Sequence, residues 1–175
     1  MTALLGHLME SDFVEAYKGW NSQTTAMLFS AEIVKGVKSD MKELAVNLAR
    51  EAQSSEMLVI WTDCDREGEN IGSEVAKVCR NANPRIKIKR ARFSVVQRVE
   101  IRAAWRNLVE LDMNAAAAVD ARSELDLRIG AVFTRFQTLL LKNRFAELSE
   151  QKVISYGIVY LNIRIMSVSN SRVCC

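Results

Sequence analysis

The chain has 175 residues, 49% hydrophobic and 26% charged, with 24 basic against 21 acidic side chains and a net charge of +3. That balance excludes a disordered chain and allows one domain, or one and a half, around a sizeable core. No apolar run approaches the ~18 residues of a membrane span, the N-terminus lacks the layout of a secretory signal, and Cys64, Cys79, Cys174 and Cys175 form no C-x-x-C pair and no disulfide framework, so a soluble intracellular protein without membrane partners is expected.

In chain order, Thr2 to Leu5 reads as a short apolar strand closed by Gly6 and His7. Tyr17, Trp20 and Phe29 then stud a polar, loop-rich connection with one or two short helices. From Ser39 the pattern is helical: Ser39 or Asp40 can cap, and Met41, Leu44, Ala45, Leu48 and Ala52 share one face of an amphipathic helix. Leu58 to Thr62 follow as a strand without alternation, which predicts burial on both faces, as in a parallel sheet.

That strand runs into Asp63, Asp65, Glu67 and Glu69, four carboxylates within seven positions, with Gly68 breaking the run before a helix. Extended geometry past Thr62 would point Asp63, Asp65 and Glu67 the same way, and carboxylates that close repel one another unless a cation sits between them. Hard oxygen ligands suit Mg²⁺, Arg66 can reach a phosphate from the same turn, and the end of a parallel strand is where such sheets place ligands. The alternative is an acidic helix N-terminus favoured by the helix dipole. Cys64, between two aspartates, reads as buried and inert.

Ile71, Val75, Val78 and Cys79 mark the buried face of the next helix, which Asn81 to Pro84 stop, and Ile86 and Ile88 alternate with lysines in another strand. Strand, helix and strand in this order imply parallel pairing, a Rossmann-like α/β sheet. Residues 85–106 hold eight basic side chains (Arg85, Lys87, Lys89, Arg90, Arg92, Arg98, Arg102 and Arg106) against Glu100 alone; they suit a polyanion such as DNA, or form a solvated face. Ser94 can cap the helix that follows. Asp112 or Asn114 opens a second helical region, alanine-rich to Ile129 and continuing after Gly130 with Phe133 and Phe136 as core. Arg122 and Asp126 stand at i and i+4 and could pair, and Arg128 and Arg135 add cations.

The stretch Thr62-Asp63-Cys64-Asp65-Arg66-Glu67-Gly68-Glu69 resembles the acidic motif of the Toprim domain in the form used by type IA DNA topoisomerases, and of these the chain looks most like eukaryotic topoisomerase III. The resemblance runs from about Met1 to Gly157. It implies a Toprim parallel sheet at 1–110, lacking its first strand, then at 111–157 the start of an all-α segment of the topoisomerase core, and a divergent tail at 158–175. It implies Mg²⁺ as cofactor, held by Asp63, Asp65 and Glu67 as catalytic and metal-binding residues, and DNA contacts from Arg66, Arg122, Asp126 and Arg128. In such enzymes a tyrosine cuts one strand, another strand passes through, and the phosphotyrosine is resealed without ATP, which relaxes negative supercoils and decatenates DNA. Arg122 resembles a phosphate contact and Asp126 a residue that positions the strand, while His7, by itself a structural histidine, would lie near DNA.

Two departures stand out. The family keeps a glutamate where Val95 follows Ser94, and Tyr17, Tyr156 and Tyr160 lie outside the family's Y-x-R-T-type motif. The chain also begins after the strand that carries the family's glutamate and lysine, so a fragment inactive on its own is expected, with an exposed sheet edge as a solubility hazard. Single-stranded DNA and a RecQ-type helicase complex are the implied partners, and the nucleus or mitochondrion the implied location. A Toprim nuclease and a non-catalytic single-strand-binding module are the competing classes.

Overall fold

A computed structural model describes residues 2–142 and 144, and these described residues form four strands and five α-helices. It divides into two compact units, Met1–Glu10 with Lys35–Ser123, and Ser11–Val34 with Glu124–Cys175. The chain leaves the first unit within β1 (Met9–Phe13) and returns within β2 (Ile33–Val37), which pair as a two-stranded sheet.

The first unit is built on β3 (Met57–Ile60) and β4 (Lys87–Arg90), paired in parallel with Leu58 opposite Ile88 and Ile60 opposite Arg90. The parallel α/β arrangement is thus the one the strand and helix order implies. Two helices supply the core, α2 (Lys42–Gln53) and α3 (Arg66–Ala82). Ala52 of α2 and Ala76 and Cys79 of α3 close over Ile60, Ile86 and Ile88, with Leu48, Leu58 and Val75 at the margin. This is the face the spacing of apolar residues in α2 predicts.

Several local expectations are corrected. Thr2 to Leu5 form no strand and Leu5 is 86% exposed; the first ladder starts at Met9, because a short apolar run without a partner cannot satisfy its backbone. The central strand is not buried on both faces. Leu58 and Ile60 face the core whereas Met57 is exposed and Val59 only half-buried, since β4 is the only strand paired with β3 among the described residues. Neither Ser39 nor Asp40 caps α2: a 3₁₀ turn over Ser39–Met41 leads in, and the cap position, Met41, makes no side-chain bond. Ser94 likewise leaves the start of α4 (Arg98–Arg106) to Gln97.

The short α1 (Ser22–Thr25), flanked by 3₁₀ turns, lies in the second unit, where Phe13, Leu28, Ala31 and Val132 form a small core. The last element, α5 (Met113–Lys142), is one helix of 30 residues. It opens on Asp112, whose carboxylate accepts from the N–H of Asn114 at 3.1 Å and of Ala115 at 3.0 Å, as one of the two caps expected. Phe133 and Phe136, expected in the core, are 44% and 54% exposed; Val132, Arg135 and Thr138 take the inner face instead. No helix among the described residues is long and apolar enough to cross a membrane. The stretch Ile154 to Gly157, Tyr156, Tyr160 and the divergent tail lie outside the described residues.

Candidate functional site

The acidic turn leaves the C-terminal end of β3 and enters α3. Asp63, Cys64, Asp65, Arg66 and Glu67 are all exposed. Asp65 is extended and caps the helix, its Oδ1 accepting from the Gly68 N–H at 2.6 Å. The backbone becomes helical at Arg66, so Glu67 belongs to the first turn of α3 and does not continue the extended alternation the sequence suggested. Asp65 therefore does what the helix-terminus reading says, and still keeps a second carboxylate oxygen.

Gly68 is where the turn closes. A Cβ there would stand 2.0 Å from the carbonyl oxygen of Asp63, so only glycine lets the helix start against that backbone. Thr62 Oγ1 donates to the Gly68 carbonyl at 2.8 Å from the other side. Beneath lies Arg90, which is fully buried. Its guanidinium donates to the carbonyls of Asp63 at 2.6 Å and Ala91 at 2.8 Å, and its Nε to Glu69 Oε1 at 3.2 Å. Glu69, also buried, further accepts from Arg92 at 3.3 Å and from the Asp112 N–H at 3.0 Å. The second glutamate of the motif is thus a strut, and Arg90, expected among the cations facing a polyanion, is the buried clamp on the turn. Cys64 is exposed, not buried as expected, and its sulfur accepts from the Phe93 N–H at 3.1 Å.

His7 reaches the turn from the N-terminal segment. Its Nε2 lies 3.2 Å from Glu67 Oε2, and its Nδ1 lies 3.5 Å from Glu74 Oε1. Glu74, only 3% exposed, accepts from the N–H groups of Leu8 at 2.9 Å and Met9 at 3.1 Å and pairs with Lys35 at 2.9 Å. Lys35 also meets Asp120 at 2.6 Å, and Asp120 accepts from Asn70 at 2.8 Å. Burial alone would lower the Lys35 pKa, but its bonds to Asp120 and Glu74 outweigh it and raise the value above 10.5. For Asp120, burial pushes upward, and the bonds from Lys35 and Asn70 win, holding it below 3.8. Sequence reading missed Asn70, Glu74, Lys35 and Asp120 and the buried role of Glu69; polar residues paired across distant segments leave no mark on apolar periodicity.

The other expected contact residues are spread out. Arg66 is exposed at the first position of α3, and Arg122 and Asp126 are exposed on α5. Arg128, in the second unit, pairs with Glu124 at 2.8 Å and donates to the carbonyls of Leu28 at 3.0 Å and Ala31 at 2.8 Å. Arg135 is similarly committed, to the carbonyls of Tyr17 at 2.6 Å and Gly19 at 3.0 Å and over the ring of Trp20. Within the basic stretch Lys89 pairs with Glu110. Arg98, Arg102 and Arg106 are exposed.

Among the described residues no group of three or more His, Cys, Asp or Glu side chains is gathered closely enough to hold a metal ion. The donor chemistry nevertheless fits Mg²⁺, which binds through one or two protein carboxylates and keeps several waters. Asp63 and Asp65 are exposed oxygen donors, and Glu67, the second residue of α3, adjoins them with its carboxylate beside His7.

The Toprim domain family matches residues 1–96. The chain is 49% identical over 161 residues to DNA topoisomerase 3 of Caenorhabditis elegans and 47% identical over 157 residues to DNA topoisomerase 3-alpha of Homo sapiens, in each case over 90% of this chain. It spans 21% and 16% of the length of those relatives. Topoisomerase I of Thermotoga maritima shares the fold with a TM-score of 0.56 and 28% identity, over 82% of this chain and 22% of that one. With the strand, acidic turn and helix in place and the family matched over more than half its length, this chain belongs to the Toprim domain family and is similar to the eukaryotic topoisomerase 3 members of the type IA enzymes.

Proposed function

We propose that the chain supplies the Toprim half of a type IA topoisomerase site, in which Asp63, Asp65 and Glu67 hold Mg²⁺ next to a DNA phosphodiester. One observation carries this: Asp63 and Asp65 are exposed, lack a cationic partner among the described residues, and stand on a turn that Arg90, Glu69 and Gly68 fix rigidly at the end of a parallel strand. Mg²⁺, when bound, would offset phosphate charge and polarise a phosphoryl oxygen. The chain's own residues do the rest. Asp65 holds the helix start, the N-terminus of α3 favours a nearby anion, Arg66 presents a guanidinium to phosphate, and His7 fixes the Glu67 carboxylate.

ATP-independent strand cleavage, passage and rejoining, with single-stranded DNA as substrate, belong to the same proposal. So do a RecQ-type helicase complex as partner, a part in recombination, and the nucleus or mitochondrion as location. None of the tyrosines, Tyr17, Tyr156 or Tyr160, stands in a Y-x-R-T motif, so the chain alone is expected to bind DNA without cutting it. Incubation of the purified chain with Mg²⁺ and an end-labelled single strand checks this. Intact strand is the expected result; short products with free ends and no attached protein would instead mean a Mg²⁺-dependent nuclease.

A further inference from the structure

The two tryptophans of the first unit are both solvent-accessible, Trp61 by 36% and Trp105 by 55%. Their rings are near-parallel, 10° apart with centroids separated by 6.5 Å, and Phe93 closes on Trp61 at 5.8 Å. They line an open cavity of about 410 Å³ together with Ile101, Arg102 and Arg106. Leaving two indoles this exposed forgoes much of the burial that large aromatic side chains normally gain. The charge around them is one-sided: Arg98, Arg102 and Arg106 recur every four residues along α4, all exposed and without an ion pair among the described residues, against Glu100 alone on that helix. Flat aromatic faces for bases beside free guanidinium groups for the backbone are the two parts of a surface for single-stranded nucleic acid.

We propose that Trp61, Trp105, Arg102 and Arg106 form a stacking subsite for an unpaired base of single-stranded DNA. Arg102 and Arg106 hold its flanking phosphates, and the exposed indole face of Trp105 takes the base. Trp61 lies two residues before Asp63, no more than about 7 Å of extended chain, so the subsite adjoins the acidic turn along the backbone. A protein partner would gain from the apolar rings but would have to neutralise three free arginines, which a phosphodiester backbone does by itself. The inference rests on the proposed function only for the choice of DNA over RNA; stacking and phosphate contact need neither Mg²⁺ nor the acidic turn.

The test is binding of a fluorescent oligothymidylate to the full chain, read by anisotropy without divalent ions over a range of salt. Trp105→Ala is expected to weaken binding about fivefold or more, and Trp105→Phe, which keeps a ring, to restore most of it. Arg102→Ala and Arg106→Ala should each make the salt dependence shallower by about 0.7 in log–log slope. Both arginines are exposed, so these variants keep the proposal falsifiable should Trp105→Ala perturb folding. Unchanged affinity in Trp105→Ala at matched salt would overturn the subsite while leaving the metal reading standing. A preference for oligouridylate over oligothymidylate would overturn the choice of DNA, and a wild-type chain that binds no single strand would overturn both.

Discussion

At the scale of single residues, the acidic turn depends on groups that do not themselves face solvent. Arg90 and Glu69 are a buried pair with nearly every polar atom engaged, and removing one partner of such a pair typically costs about 3–5 kcal/mol. Arg90→Ala is therefore expected to lower the urea unfolding free energy by about 3 kcal/mol, while Arg98→Ala, exposed and unpaired, stays within about 0.5 kcal/mol. Gly68→Ala forces a methyl onto the Asp63 carbonyl and should cost at least about 2 kcal/mol in the same measurement. The Lys35–Asp120 pair sets a pH dependence of known sign. Asp120 is held below 3.8, so its contribution is complete above that value and is lost as pH falls through the lowered one; Lys35 is held above 10.5, so its share is complete below that value and is lost as pH rises through the raised one. Asp120→Asn should flatten the acid limb of a stability-against-pH curve and leave the limb above neutrality less steep, since Lys35 then keeps only Glu74. The exposed acids were legible in sequence because their chemistry is local. Arg90 and Glu69 were not, since their partners lie 21 residues apart and the same arginine reads equally well as a surface cation.

Elements follow the same division. The helices α2 and α3 and strand β4 were legible, because each has one apolar face whose spacing survives in the sequence. Strands β1 and β2 were not. Met9–Phe13 carries Glu10, Ser11 and Asp12 and lacks strand composition, while Ile33–Val37 is β-branched but short and interrupted by Lys35 and Gly36, and the two strands pair with each other. The helical region read from Asp112 onward and continuing after Gly130 is the single helix α5, which passes through Gly130 with open space where a Cβ would stand. Gly130→Ala should consequently stabilise the chain by about 0.5–1 kcal/mol, seen as a higher unfolding midpoint at unchanged slope. Asp112→Ala, which leaves two N–H groups at the start of α5 without their acceptor, should cost about 1 kcal/mol.

For the molecule as a whole, charge is divided by function more than by amount. A net charge of +3 says little, but the first unit sets exposed carboxylates at the end of β3 against a row of free arginines on α4. Cations and phosphates are the ligands that such a division suits. The sequence conveyed this by motif and by resemblance; what it could not convey is that Arg90, Glu69, Arg128 and Arg135 serve to hold backbone in place. The claim on which the functional account turns is that the exposed acids bind Mg²⁺. It is tested most directly by titrating Mg²⁺ into the full chain while following the backbone amides of residues 63–68 by NMR, with the Asp63→Asn/Asp65→Asn double variant alongside. Asparagine caps a helix as aspartate does, so the double variant should keep the start of α3. Saturable shifts in the wild-type chain, with affinity falling about tenfold or more in the variant, are the predicted result. Equal affinity in the two proteins, or no saturable shift in the wild type, would contradict it.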